Sequence, residues 1–203
     1  MSCINLVEVK SKNFTKKDTF DRDIEYGNIR NIEDHAFDGC SKLKNVSFLS
    51  CAYFIGEYAF NECHDLTVNC ALTSDDYYAF HLRSLGDYAF NECSSMSCFY
   101  SKTLVDSILG DTPGISSLGV GVFKNCTSLE FARVPLVDVH EVPNELFSEC
   151  SSLRRHEEGG HVLYSVMFPG SSISAVGDYA FYNCKLFTPP GNNSWMENVE
   201  VVG

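Results

Sequence analysis

"IGEYAFNEC" at residues 55–63 returns as "LGDYAFNEC" at 85–93 and as "VGDYAFYNC" at 176–184. A stretch written three times in one chain of 203 residues points to an internal repeat, and a period of 20–50 residues is the mark of stacked coils. Reduced to what all copies share, the unit is Phe-x-x-Cys-x-x-apolar. It occurs six times: Phe37/Cys40/Leu43, Phe60/Cys63/Leu66, Phe90/Cys93/Met96, Phe123/Cys126/Leu129, Phe147/Cys150/Leu153 and Phe181/Cys184/Phe187. An apolar residue stands five before each Phe, followed by glycine in Ile55-Gly56, Leu85-Gly86, Leu118-Gly119 and Val176-Gly177. Glycine there predicts a corner that needs a positive φ or a close backbone approach.

Upstream of the corner lies an extended stretch of period two, clearest in "LEFARVP" at 129–135 and "LYSVMFP" at 163–169. Alternation of β-branched and aromatic residues with polar ones reads as a short strand. Each coil is therefore expected to hold one strand, a turn, a second extended piece ending at the apolar-Gly pair, and a short helical turn carrying Ala-Phe-x-x-Cys. In that turn Phe and Cys, at i and i+3, would face inward together. One coil cannot bury this face alone, whereas stacked coils with strands about 4.8 Å apart can.

The Phe-to-Phe spacings are 23, 30, 33, 24 and 34. Taking the shorter ones as the base, the extra residues are expected between the Cys-x-x-apolar element and the next strand, near 66–71, 96–104 and 153–162. The strands would then begin at 19–24 in the first coil and fall at 72–77 and 105–110 in the two degenerate ones. Residues 1–18 and 188–203 are expected to cap the ends of a repeat region spanning 19–187.

A coil of the form Leu-x-x-Ile-x-Ile-Pro followed by Ile-Gly-x-x-Ala-Phe-x-x-Cys-x-x-Leu resembles the BspA-type, or Treponema pallidum-type, leucine-rich repeat, and "LYSVMFPGSSISAVGDYAFYNC" at 163–184 carries that likeness. The resemblance implies an α/β repeat solenoid of right-handed, leucine-rich-repeat form. About six coils would be joined by a parallel β-sheet on the concave face and by short helical turns. It also implies a non-enzymatic protein-binding scaffold, since the family includes bacterial surface proteins that bind extracellular-matrix proteins.

Composition narrows the function classes. With 44% hydrophobic and 13% aromatic residues the chain has material for a sizeable core. Its formal net charge of −12 argues against general nucleic-acid binding, which requires clustered Lys and Arg, and leaves protein partners of basic character open. "MSCINLVEVKSKNF" lacks the apolar run of a secretory signal, and no stretch approaches a membrane span, so the expectation is a cytoplasmic chain, or a cell-surface one if it is an excerpt of a longer protein. Of ten cysteines, six belong to the repeat and are expected as reduced, buried thiols.

No catalytic constellation is present, and no cofactor or metal is expected. "HEEGGH" at 156–161 places its histidines five apart around Gly159-Gly160, which fits a solvated hairpin tip rather than the i, i+4 pair of a zinc helix. Function should lie where the copies differ. Outward strand positions make Phe20, Asp21, Lys44, Asn45, Asp76, Glu130, Phe131, Arg133, Tyr164 and Met167 the candidate partner-binding residues, joined by Asp23, Ser47 and Asp106. In this set Phe20, Phe131 and Tyr164 would serve as aromatic anchors in an acidic field.

Overall fold

A computed structural model describes residues 3, 5–9, 14–17, 23–26, 29–46, 49, 52–68, 82–100, 114–134, 136–154, 156–158, 161–163, 166–168, 173–185 and 200–201. The strands run β1 (Glu8–Val9), β2 (Phe14–Lys17), β3 (Asp23–Tyr26), β4 (Asn31–Ile32), β5 (Asn45–Val46), β6 (Phe54–Ile55), β7 (Ser84–Leu85), β8 (Cys98–Tyr100), β9 (Ser117–Leu118), β10 (Phe131–Arg133), β11 (Glu141–Val142), β12 (His156–Glu158), β13 (His161–Leu163), β14 (Val166–Met167), β15 (Ala175–Val176) and β16 (Glu200–Val201). Apart from the hairpins β2–β3 and β12–β13, every pairing is parallel, as coils stacked in register require.

Two sheets run along the stack. The main one pairs β1 with β5 and carries β8, β10 and β14 side by side. Thr67 continues it from β5, its N–H donating to the Lys44 carbonyl at 2.9 Å. The second sheet is built from the corner pairs as β4-β6-β7-β9 and, further along, β11-β15-β16. Both extended pieces of the repeat thus form as the sequence predicts, and β16 adds a strand from the C-terminal segment to the second sheet.

The helical turn does not form. Across Ala-Phe-x-x-Cys the described residues adopt consecutive turns, with positive φ two residues before Phe and one residue before Cys, as at Tyr58 (51°) and Glu62 (56°) or Tyr88 (53°) and Glu92 (59°). A left-handed residue costs about 1–2 kcal/mol and cannot sit inside an α-helix. Here it turns alternate N–H groups outward onto the next coil. Tyr58, Phe60 and Glu62 donate to the carbonyls of Asp87, Ala89 and Asn91 at 2.8–2.9 Å, while Ala59, Asn61 and Cys63 close i to i−3 turns within their own coil. The same set of bonds recurs between the other coils. Strain at two residues is offset by three inter-coil hydrogen bonds.

The core is a set of columns. Phe60, Phe90, Phe123 and Phe147 are fully buried, and consecutive rings from Phe37 to Phe181 stack with centroids 5.1–5.9 Å apart, as offset-stacked aromatics prefer. Phe99 wedges between two of them, 5.8 Å from Phe90 and 4.7 Å from Phe123. Beside the rings the Cys63, Cys93, Cys126, Cys150 and Cys184 thiols each donate to the carbonyl of the preceding coil's Phe at 3.0–3.2 Å.

The first member of that column departs from expectation. Instead of a reduced thiol, Cys40 forms a disulfide with Cys3. Cys98, outside the column, is disulfide-bonded too.

Insertion sites also differ in part. The hairpin β12–β13, which contains His156 and His161, does lie between Leu153 and β14. For the other two long spacings the strand follows its Leu or Met directly, at Thr67 and at β8, and the extra residues come after it. The reason is core filling: the residue three beyond that Leu or Met, as in Val46, Phe99 and Ala132, is buried and so anchors the strand there. The stretches 72–77 and 105–110 lie outside the described residues. The first coil shows the same rule, because its sheet strand is β1, whereas Asp23 and Ile24, the described part of the strand expected at 19–24, pair antiparallel with β2.

Candidate functional site

On the main sheet, inward Val46, Phe99, Ala132 and Val166 alternate with outward residues. In the register of the main sheet Phe131 lies level with Cys98, and Arg133 stands between Tyr100 and Met167. Glu130, just before them, receives Arg154 Nη2 at 2.8 Å. Lys44 and Asn45 are exposed on the same sheet at β5, where Asn45 Oδ1 accepts from Thr67 Oγ1 at 3.5 Å. Phe131 and Arg133 are only half-exposed, and the neighbouring Cys98 is buried, so this part of the face is crowded. Phe20, Asp21, Ser47, Asp76, Asp106 and Tyr164 lie outside the described residues, and Asp23 sits on hairpin strand β3.

The second sheet carries an open groove of about 410 Å³ that the reading of outward main-sheet positions missed. Its construction follows from the corner repeat. Ile32, Ile55 and Leu85 point into the core, so the residues on either side of them point out. One flank is Asn31, Phe54, Ser84 and Ser117; the lane beyond is Glu33, Gly56, Gly86 and Gly119; the far flank is Asp34, Glu57 and Asp87. Coil stacking demands the glycines. A Cβ on Gly86 would stand 2.5 Å from the Glu57 nitrogen and 2.6 Å from the Gly56 carbonyl carbon. Close approach, and not positive φ, is the reason for this Gly, and the consequence is a trough floored by backbone at Gly56, Gly86 and Gly119.

The acids on the far flank hold the coils as well. Asp34 Oδ1 accepts from the Glu57 N–H and Asp87 Oδ1 from the Val120 N–H, each at 2.8 Å, and Asn144 Oδ1 takes the same role toward Asp178. No lysine, arginine or histidine among the described residues pairs with Glu33, Asp34, Glu57 or Asp87. A sequence signal existed, since an acid follows the corner glycine in Gly56-Glu57, Gly86-Asp87 and Gly177-Asp178.

A third strip runs along the turns, where His35, Tyr58 and Tyr88 stack at 5.2 Å. Tyr88 Oη donates to Glu145 Oε2 at 3.1 Å, and Lys124 Nζ donates to the same oxygen at 2.8 Å. Lys124 holds the Glu145 carboxyl below its usual range, while burial and the adjacent carboxylate raise the Tyr88 phenol. In the cysteine column burial pushes the Cys63 thiol up to about 12 and the fully enclosed Cys93, Cys126 and Cys150 upward as well. A thiol held neutral is a packing group and a poor nucleophile.

Comparison with known proteins agrees with this architecture. The profile of the BspA type leucine rich repeat region matches residues 7–154 and 159–194 in six copies. Among solved structures, a Treponema pallidum leucine-rich-repeat protein superposes with a TM-score of 0.54 at 23% identity over 78% of this chain and 61% of its own. A leucine-rich-repeat protein from Bacteroides ovatus superposes with a TM-score of 0.57 at 21% identity over 96% of this chain and 45% of its own. The chain thus spans 61% and 45% of the lengths of these two. No curated protein matches it. Six registered copies, two parallel sheets and one continuous Phe and Cys core have a common explanation: this chain belongs to the BspA-type leucine-rich-repeat family.

Proposed function

We propose that the chain is a non-enzymatic protein-interaction module whose main sheet and inserted loops engage a protein partner of basic character. The observation that supports this reading most directly is the division of labour within each coil. The repeated residues are consumed by the core, and the outward positions vary between coils, from Lys44 and Asn45 to Glu130, Phe131 and Arg133. A varied face on an invariant scaffold suits recognition, and the net charge of −12 favours cationic partners. Affinity capture from native cells with the wild-type chain and with a Phe131→Ser/Lys44→Glu variant tests it. Loss of a partner from the variant, with unchanged thermal unfolding, is the expected result. Identical partners on both would remove the main sheet from consideration.

A second reading, a surface adhesin fragment binding host or matrix proteins, draws support from the disulfides at Cys3–Cys40 and Cys98. Such bonds persist in oxidising compartments and are rare in the cytosol. Mass mapping of the protein alkylated directly in its native cells distinguishes the two. A linked Cys3–Cys40 peptide is expected for the exported form, and two alkylated thiols would return the chain to the cytoplasm.

A further inference from the structure

We infer that the glycine-floored groove of the second sheet is a docking site for an extended, basic peptide segment of a protein partner. This face is separate from the main sheet. Three features carry the inference. The trough is open, because the glycine lane puts no side chain between its flanks. One flank bears Phe54, an exposed phenylalanine, 46% accessible in a row whose other members are Asn31, Ser84 and Ser117. An aromatic ring left nearly half exposed in a row of small polar residues offers apolar surface that the other members of the row do not. The other flank and the head of the lane carry four carboxylates that pair with no cation among the described residues.

Charge complementarity selects the occupant. Asp34 and Asp87 each spend one oxygen on a backbone N–H, leaving the second for an incoming donor, and Glu33 and Glu57 are uncommitted among the described residues. From β4 to β9 the groove crosses three inter-strand steps, about 14 Å at the usual strand spacing, which an extended segment of about four or five residues would fill. Lys or Arg at alternate positions of that segment would face the carboxylates, and an apolar residue would cover Phe54. A bulky side chain on the lane is excluded by the neighbouring coil, so the trough stays open for as long as the coils stay stacked.

Variants that leave the stacking intact are supplied by the molecule. Asn144 performs the Asp34 role at the same 2.8 Å, so Asp34→Asn and Asp87→Asn remove charge and keep the cap. Ser84 and Ser117 occupy the Phe54 position in neighbouring coils, so Phe54→Ser suits the row. The probe is a fluorescein-labelled (Lys-Val)3 peptide read by anisotropy at low salt. The control for the overall acidic field is Glu62→Gln/Asp138→Asn/Glu141→Gln, which removes three exposed carboxylates outside the groove.

Asp34→Asn/Glu57→Gln/Asp87→Asn is expected to weaken binding about tenfold, Phe54→Ser about threefold, and the control triple less than about twofold. Binding should also fall with added salt. Phe131→Ser/Lys44→Glu should bind the probe as wild type does, so failure of the main-sheet reading and failure of this one are separable. Equal losses in both triples would overturn the proposal, because a diffuse field would then suffice. A wild-type dissociation constant above about 1 mM would overturn it too.

Discussion

At the scale of the residue, the cysteines show how one side chain serves several ends. Each column thiol fills core volume and donates a hydrogen bond to a carbonyl one coil back, and burial disfavours the thiolate. The sign of the pH effect follows. A thiol whose folded value lies near 12 and whose unfolded value lies near 9.0 contributes full stability below pH 9.0 and loses it as pH rises from there toward 12. The loss is about 1.4 kcal/mol per pH unit for each such thiol, so several acting together make alkaline unfolding steep. Urea titrations between pH 7 and 11 should show the midpoint flat at first and then collapsing. A midpoint that stays level to pH 11 would mean that the thiols titrate normally and the column is open to water.

At the scale of the element, the repeated turn does what a helix was expected to do. Phe and Cys at i and i+3 face inward in either conformation, so the pattern alone could not separate them. Left-handed φ at residues such as Tyr58 and Glu92 is decided by neighbours, because only a stacked coil supplies the carbonyls that alternate N–H groups reach. The ring column adds a gradient of worth. Phe90, enclosed by Phe60, Phe99 and Phe123, should cost about 3–5 kcal/mol on replacement by Ala. Phe37 is half-buried where Phe90 is fully enclosed, and its replacement should cost clearly less by chemical denaturation. Similar costs at both sites would show that stability does not come from continuity of the column.

For the whole molecule, stacking between the first two coils is reinforced by a covalent bond. Cys3–Cys40 holds the segment containing β1 against β5 and closes a loop of sequence separation 37. A loop of that size contributes about 3–4 kcal/mol on the chain-entropy account. Cys3→Ser should lower stability by that order. In hydrogen exchange it should free the Lys44 amide, which donates to Val7, while the Phe90 amide stays protected. Equal loss of protection at both would mean that the first coil and the central ones open together.

Much of this was legible in the letters. Periodic Phe, Cys and corner apolar-Gly positions determined a solenoid of stacked coils joined by parallel strands, because only burial shared between coils explains the same nine residues recurring at intervals. They determined equally that those residues serve folding. Tertiary structure alone decided the rest. The strands sit directly after Cys-x-x-apolar because the core takes Val46, Phe99 and Ala132, and three letters of spacing cannot reveal where a loop leaves a coil. The turns avoid the helix because their partners lie one coil away, 22 to 33 residues distant in sequence. Phe54 and the acids Asp34, Glu57 and Asp87 face each other across a bare lane only once coils pack closely enough to require glycine. Their proximity is a product of stacking, a relation between coils that no single copy of the repeat contains.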